Sequence, residues 1–186
     1  YGITLNLKHP KGAEIARRLV SWADIVVEGY TPGTMKGLGL DYEELRKIKP
    51  GIIMLSTCNQ GQTGPYAKHP GMGYQLPAIV GLTYLLGWPG KDISAPYGAY
   101  TDFPVPLLGA ITLLAALDYR RRTGKGQHID IGQYESSLHF LIPPILDYTV
   151  NGRVASRMGN RCPYAAPHNA YPCQGEDRWC AIAVFT

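Results

Sequence analysis

ADIVVEGYTPGTMKGLGLDYEELRKIKPGIIMLS, Ala23–Ser56, is the stretch whose reading decides the fold. Asp24–Glu28 places Ile25, Val26 and Val27 in a short apolar run, which reads as a compact buried strand. Tyr30–Gly33 contains Pro32 and Gly33 and reads as a turn. Asp41 then stands as an N-cap before an acidic first turn, and Pro50-Gly51 ends the helix it opens. Ile52–Ser56 is a second apolar strand. Short buried strands alternating with helices are the pattern of a parallel α/β sheet.

Upstream, Ile3–Leu7 alternates apolar and polar residues like a strand. Lys11–Ala23 follows as an amphipathic helix, with Ala13, Ala16, Leu19, Val20 and Ala23 on one side. Downstream, Gln60–Gly73 is rich in glycine and proline and reads as irregular, and Leu76–Leu86 as an apolar core helix. The longest periodic segment lies in Tyr97–Gln127. Pro104 and Pro106 occupy a first helical turn, where a missing N–H costs nothing. Val105, Leu108, Ile111, Leu114, Ala115 and Tyr119 recur beyond them at helical spacing. Arg120–Arg122 oppose the negative end of the helix dipole, and Gly124 stops the helix. His128–Ile131 reads as a strand, Glu135–Asn151 as a helix, Arg153–Pro172 as a linker and Trp179–Phe185 as a new strand. The expected organisation is a large, partial α/β domain over 1–152, then a linker and the first strand of a smaller, incomplete domain over 153–186. Both ends of the chain read as cut, so a fragment of a longer protein is expected.

Composition excludes several classes. The 186 residues are 45% apolar and 17% charged, ordinary for a globular chain. The net charge of +4 is dispersed except at Arg120–Lys125, too little for a nucleic-acid surface. No apolar run approaches the roughly 18 residues of a membrane span; the longest is Ala78–Leu86. Two glycine pairs, in Gly37–Tyr42 and Gly71–Leu76, lack the third glycine of a dinucleotide fingerprint and do not open a helix after a strand, so nicotinamide binding is not expected. There is no G-x-S-x-G elbow and no H-E-x-x-H pair. Cys162, His168, Cys173 and Cys180 could surround a metal, but their spacing is irregular. Free thiols in a reducing, cytoplasmic setting are the preferred reading, with no metal and no tightly bound cofactor.

Asp102 precedes the long helix and admits two readings. It is either a capping residue or a carboxylate nucleophile, held ionised by the backbone N–H groups and dipole of the helix start.

The run from Asp102 through GAITLLAAL to RRRTGKGQ resembles the signature segment of the family III CoA-transferases, the formyl-CoA transferase and carnitine CoA-transferase group. ITLNLKHPKG (Ile3–Gly12), Ala23–Ser56 and GQTGPYAKHPG (Gly61–Gly71) are similar to further segments of that family, in the same order. The resemblance implies a Rossmann-like parallel sheet with flanking helices, the large domain of such an enzyme. It implies that Asp102 is the nucleophile, through an aspartyl anhydride and an aspartyl-CoA thioester, with coenzyme A or acyl-CoA as substrate. Leu5 and Lys8 match positions lining the CoA pocket, Lys8 near phosphate, and Tyr30 matches an aromatic on the adenine side. The carboxylic-acid acceptor and an interlocked homodimer also come from the resemblance. Gly29, Gly37 and Gly73 depart from it, standing where Asn, Arg, and Asp or Tyr are usual. In related acyl-CoA racemases a histidine acts with the aspartate; Met72 is near its position here, which favours a transferase. The alternatives are a racemase or isomerase on acyl-CoA, and a non-catalytic CoA-thioester binding protein.

Overall fold

The structure, a computed structural model, describes residues 1–185. Its elements are α1 (Pro10–Trp22), β1 (Ile25–Glu28), α2 (Thr34–Gly37), α3 (Tyr42–Ile48), β2 (Ile53–Cys58), α4 (Leu76–Ile79), α5 (Leu82–Leu85), α6 (Pro104–Thr123), β3 (Gln127–Gly132), α7 (Gln133–Ser137), α8 (Ile142–Asn151), β4 (Ala165–Pro172) and β5 (Trp179–Phe185). Two compact units are formed. One comprises Tyr1–Leu76 and Gly98–His139; the other comprises Pro77–Tyr97 and the chain from Phe140 onward.

The first unit holds a three-stranded parallel sheet in the order β1-β2-β3, as expected for an α/β fold. Successive residues of β2 point to opposite faces, and the sequence satisfies both. Ile52 and Met54 join Val20 of α1 and Leu40 and Leu45 beside α3 in one core cluster. Leu55 joins Ile131 of β3 and Val105 of α6 in a second cluster on the other face. Burying each such side chain contributes about 1.5–3 kcal/mol. Helices on both faces of a parallel sheet make this a doubly covered, Rossmann-like arrangement.

α6 runs antiparallel to the strands. At its C-terminal end Arg120 donates to the carbonyls of Asp24 and Gly51, which precede β1 and β2. Gly124 caps the helix with a positive φ of 74°, and the chain turns directly into β3. The start of α6 therefore lies by the C-terminal ends of the strands.

Several expectations are corrected. Ile3–Leu7 is not a strand. It finds no ladder partner among the described residues; instead Asn6 accepts from Lys8 and His9 N–H in a turn that leads into α1, and Leu7 packs on the core. β1 is only partly buried: Val27 is 57% exposed, because α6 covers β2 and β3 but not this edge. Leu76–Leu86 is broken into α4 and α5 at Gly81, whose φ of 88° no helix interior accepts. On α6 the buried residues are Val105, Gly109 and Ala116, while Ile111 and Leu114 are 61% and 67% exposed. The large apolar residues do not by themselves mark the face: Val105 packs on Leu55 and Ile131, and a Cβ on Gly109 would make only ordinary contact with Leu55 Cδ2 at 3.5 Å. Tyr100–Thr123 is also long and apolar enough to span a membrane by length and composition, contrary to the sequence reading. One face of this helix packs on β2 and β3 through Val105, Leu55 and Ile131.

The second unit carries α5, α8 and the antiparallel pair β4–β5. The Glu135–Asn151 helix is interrupted by a 3-10 turn at Leu138–Leu141 and restarts as α8 with proline in its first turn, where the ring is tolerated. Ala165–Pro172, read as linker, is strand β4, pairing with β5.

Candidate active site

Asp102 is the last residue of a 3-10 turn, Tyr100–Asp102, that leads into α6. It is not a cap. The N-cap position is Phe103, and no side chain caps this helix. The Asp102 side chain is exposed, and among the described residues no hydrogen bond or ion pair engages its carboxylate. Thr101, directly before it, is fully buried, and its hydroxyl has no hydrogen-bond partner among the described residues.

One neighbour defines the carboxylate's surroundings. A Cβ built on Gly73 would lie 2.5 Å from Asp102 Oδ2 and would also collide with Ala99 Cβ. Real side chains cannot approach so closely, so the Gly73 backbone packs directly on the carboxylate. A larger residue at position 73 would displace Asp102 or the loop.

The same loop reaches a cavity. Gly71, Pro70, His69, Lys68 and Ala67 face Gly29–Pro32 and Cys58–Asn59 across a cleft of about 320 Å³. The second wall begins where β1 ends and the third where β2 ends, so the cleft opens at the C-terminal edge of the parallel sheet. Open α/β sheets bind ligands at this edge. Gly71 lines the cleft and Gly73 abuts Asp102; two residues of chain span at most about 7 Å, so the cleft and the carboxylate are neighbours.

Tyr30 is on the wall of the cleft. Leu5 and Lys8 do not line it: Leu5 is half-buried, and Lys8 is exposed in the turn before α1, its N–H donating to Asn6 Oδ1 at 3.1 Å. Lys68 and His69 were not singled out by sequence reasoning. The only local signal was a basic pair before Pro70-Gly71 in an otherwise neutral loop.

The electrostatics behind the cleft are acidic. Glu28, 7% exposed at the end of β1, accepts from Tyr30 N–H through Oε2 at 2.8 Å. Burial, with Asp130 nearby, pushes the Cys58 thiol above its usual range, so it is protonated at neutral pH. Cys58, Cys162, Cys173 and Cys180 are free thiols, and no cluster of three or more metal-ligating side chains occurs among the described residues.

A family model described as CoA-transferase family III matches residues 1–186. The chain is 36% identical over 186 residues to the beta subunit of succinyl-CoA--L-malate CoA-transferase of Chloroflexus aurantiacus, covering 99% of this chain and 46% of that protein. It is 35% identical to the acetyl-CoA:oxalate CoA-transferase of Acetobacter aceti, covering 92% of this chain and 44% of that one. A crystal structure of a CAIB/BAIF family protein from Brucella suis superposes with a TM-score of 0.88 at 35% identity, covering 97% of this chain and 47% of that one. The chain thus spans about half the length of the curated relatives it matches.

Proposed function

The chain belongs to CoA-transferase family III, and on that premise we propose that the protein containing it moves CoA from an acyl-CoA thioester to a free carboxylic acid, with Asp102 as the covalent nucleophile. The observation that carries this reading is the Asp102 carboxylate itself. It caps no helix, is exposed, and stands beside the cleft at the C-terminal edge of the sheet. The relatives named above transfer CoA between carboxylic acids, which supports the reaction class.

In the proposed sequence, an Asp102 oxygen attacks the thioester carbonyl. The C–S bond breaks, giving an acyl-aspartyl anhydride and CoA thiolate. The thiolate attacks the Asp102 carbonyl, releasing the first carboxylate and leaving an aspartyl-CoA thioester. The acceptor carboxylate attacks that thioester, forming a second anhydride and releasing thiolate again. Attack of the thiolate on the acceptor's acyl carbon yields the new thioester and regenerates Asp102. Covalent catalysis divides one exchange between poor nucleophiles into steps with a good leaving group. Backbone N–H groups of the glycine-rich loops are the proposed donors to each oxyanion.

The cleft is the proposed CoA site, with Tyr30 toward the adenine and Lys68 as a cation for phosphate. Leu5 and Lys8 belong to the proposal through the family resemblance. A cytoplasmic homodimer is the proposed form of the whole protein.

The test uses the full-length protein. It is incubated with a panel of acyl-CoA thioesters, digested, and the Asp102 peptide is examined by mass spectrometry. An acyl or CoA adduct that is absent in Asp102→Ala is expected. Solvent deuterium entering the acyl α-carbon without an adduct would establish a racemase instead, and CoA binding with neither signal a binding protein.

A further inference from the structure

Gln62 joins the ends of all three strands of the parallel sheet. Its backbone N–H donates to both carboxylate oxygens of Asp130 in β3, at 3.0 and 2.9 Å. Its side-chain Nε2 donates to Oε1 of Glu28, the last residue of β1, at 3.3 Å, and lies 3.9 Å from the Cys58 sulfur at the end of β2. The other Glu28 oxygen holds the Tyr30 N–H. Glu28 is buried, so each of its oxygens requires a donor. A carboxamide at position 62 supplies that donor without adding charge between two carboxylates.

We propose that Gln62 is a positioning residue for the CoA site: through Glu28 it fixes the Tyr30 backbone, and so sets the shape of the cleft without lining it. This rests on the reading of that cleft as the CoA site. The residue acts on binding rather than on the chemistry at Asp102, which separates it from a residue that only supports the fold.

Gln62→Glu inverts the contact. The new carboxylate faces Glu28 from β1, Asp130 from β3 and the protonated Cys58 thiol from β2, and it donates to Glu28 only when it carries a proton. In the full-length enzyme the variant should raise KM for the thioester about tenfold near pH 8, with kcat within about twofold. The loss should shrink as pH falls and the carboxyl protonates. The double variant Glu28→Gln/Gln62→Glu exchanges donor and acceptor across the same contact; it should restore KM at both ends of the pH range. Hydrogen exchange supplies a readout independent of substrate. Amides in 29–31 and 59–63 should exchange about tenfold faster in the single variant and recover in the double.

Unchanged exchange in Gln62→Glu would refute the clamp. Faster exchange with KM unaltered would refute its role in positioning, as would a loss of kcat and KM alike at every pH that the double variant does not reverse. A wild-type enzyme that acyl-CoA does not saturate would instead overturn the reading of the cleft, while exchange still judged the clamp.

Discussion

Asp102 and Gly73 form a pair in which the smaller residue controls the larger. A methyl group on Gly73 would lie 2.5 Å from Asp102 Oδ2, so Gly73→Ala should turn the carboxylate away or push the loop back. Misplacing a nucleophile by about 1 Å costs on the order of a hundredfold in rate. The expected outcome is a fall in kcat of that order with CoA affinity retained, measured by steady-state kinetics and titration of the full-length enzyme. Full activity in Gly73→Ala would show that the carboxylate is not held at this contact. Asp102 itself was legible in the sequence through its place before a proline-led helix and through the family resemblance. Its choice between cap and nucleophile was not legible. That depends on whether the side chain folds back on the helix, and here Phe103 occupies the cap position instead. Gly73 was legible only as a departure, because the atom it avoids lies about thirty residues away in the chain.

Among the elements, those whose signals are local were read correctly. α1, α3 with its Asp41 cap, β2 and β3 follow from apolar periodicity, an acidic first turn and short apolar runs. The face of α6 did not follow, because that helix is apolar nearly all round and periodicity alone does not distinguish the stripe of Val105, Gly109 and Ala116 that is buried. The strand expected at Ile3–Leu7 needed a partner that alternation cannot supply. α6 is secured at its far end by charge as well as by packing. Lys49, hydrogen-bonded to Asp24, and the Arg120 guanidinium beside it hold the Asp24 carboxyl below its usual range. Because the folded pKa lies below the unfolded value, this contribution is complete above that value. It is lost as pH falls through the folded pKa, below about pH 4. The exposed pair is a small effect. Asp24→Asn should lower the urea midpoint slightly at neutral pH, with the difference from wild type shrinking as pH falls below about 4; a difference that stays constant with pH would assign the effect to packing.

For the whole molecule, uncovered apolar surface dominates. Leu107, Ile111 and Leu114 stand out from α6, Ile145, Leu146 and Val150 from α8, and the residues of β5 are exposed throughout. Large apolar side chains left exposed in this number on each unit favour association. Residues 1–186 expressed alone should therefore elute as oligomers or precipitate, whereas a monodisperse monomer in size-exclusion chromatography would show that these faces tolerate water. The parallel sheet has a further consequence, which lies in time. β1 and β2 are close in sequence, whereas β3 joins β2 from more than twice as far along the chain, and each doubling of a loop costs about 0.6 kcal/mol to close. On a ribosome, β1 and β2 can pair long before Gln127–Gly132 has been made. Asp102 emerges ahead of β3, and the loop that leads to Gly73 is not tied to the sheet through Gln62 N–H until Asp130 of that strand is in place. The proposed site is thus completed late, after Asp102 itself has been made.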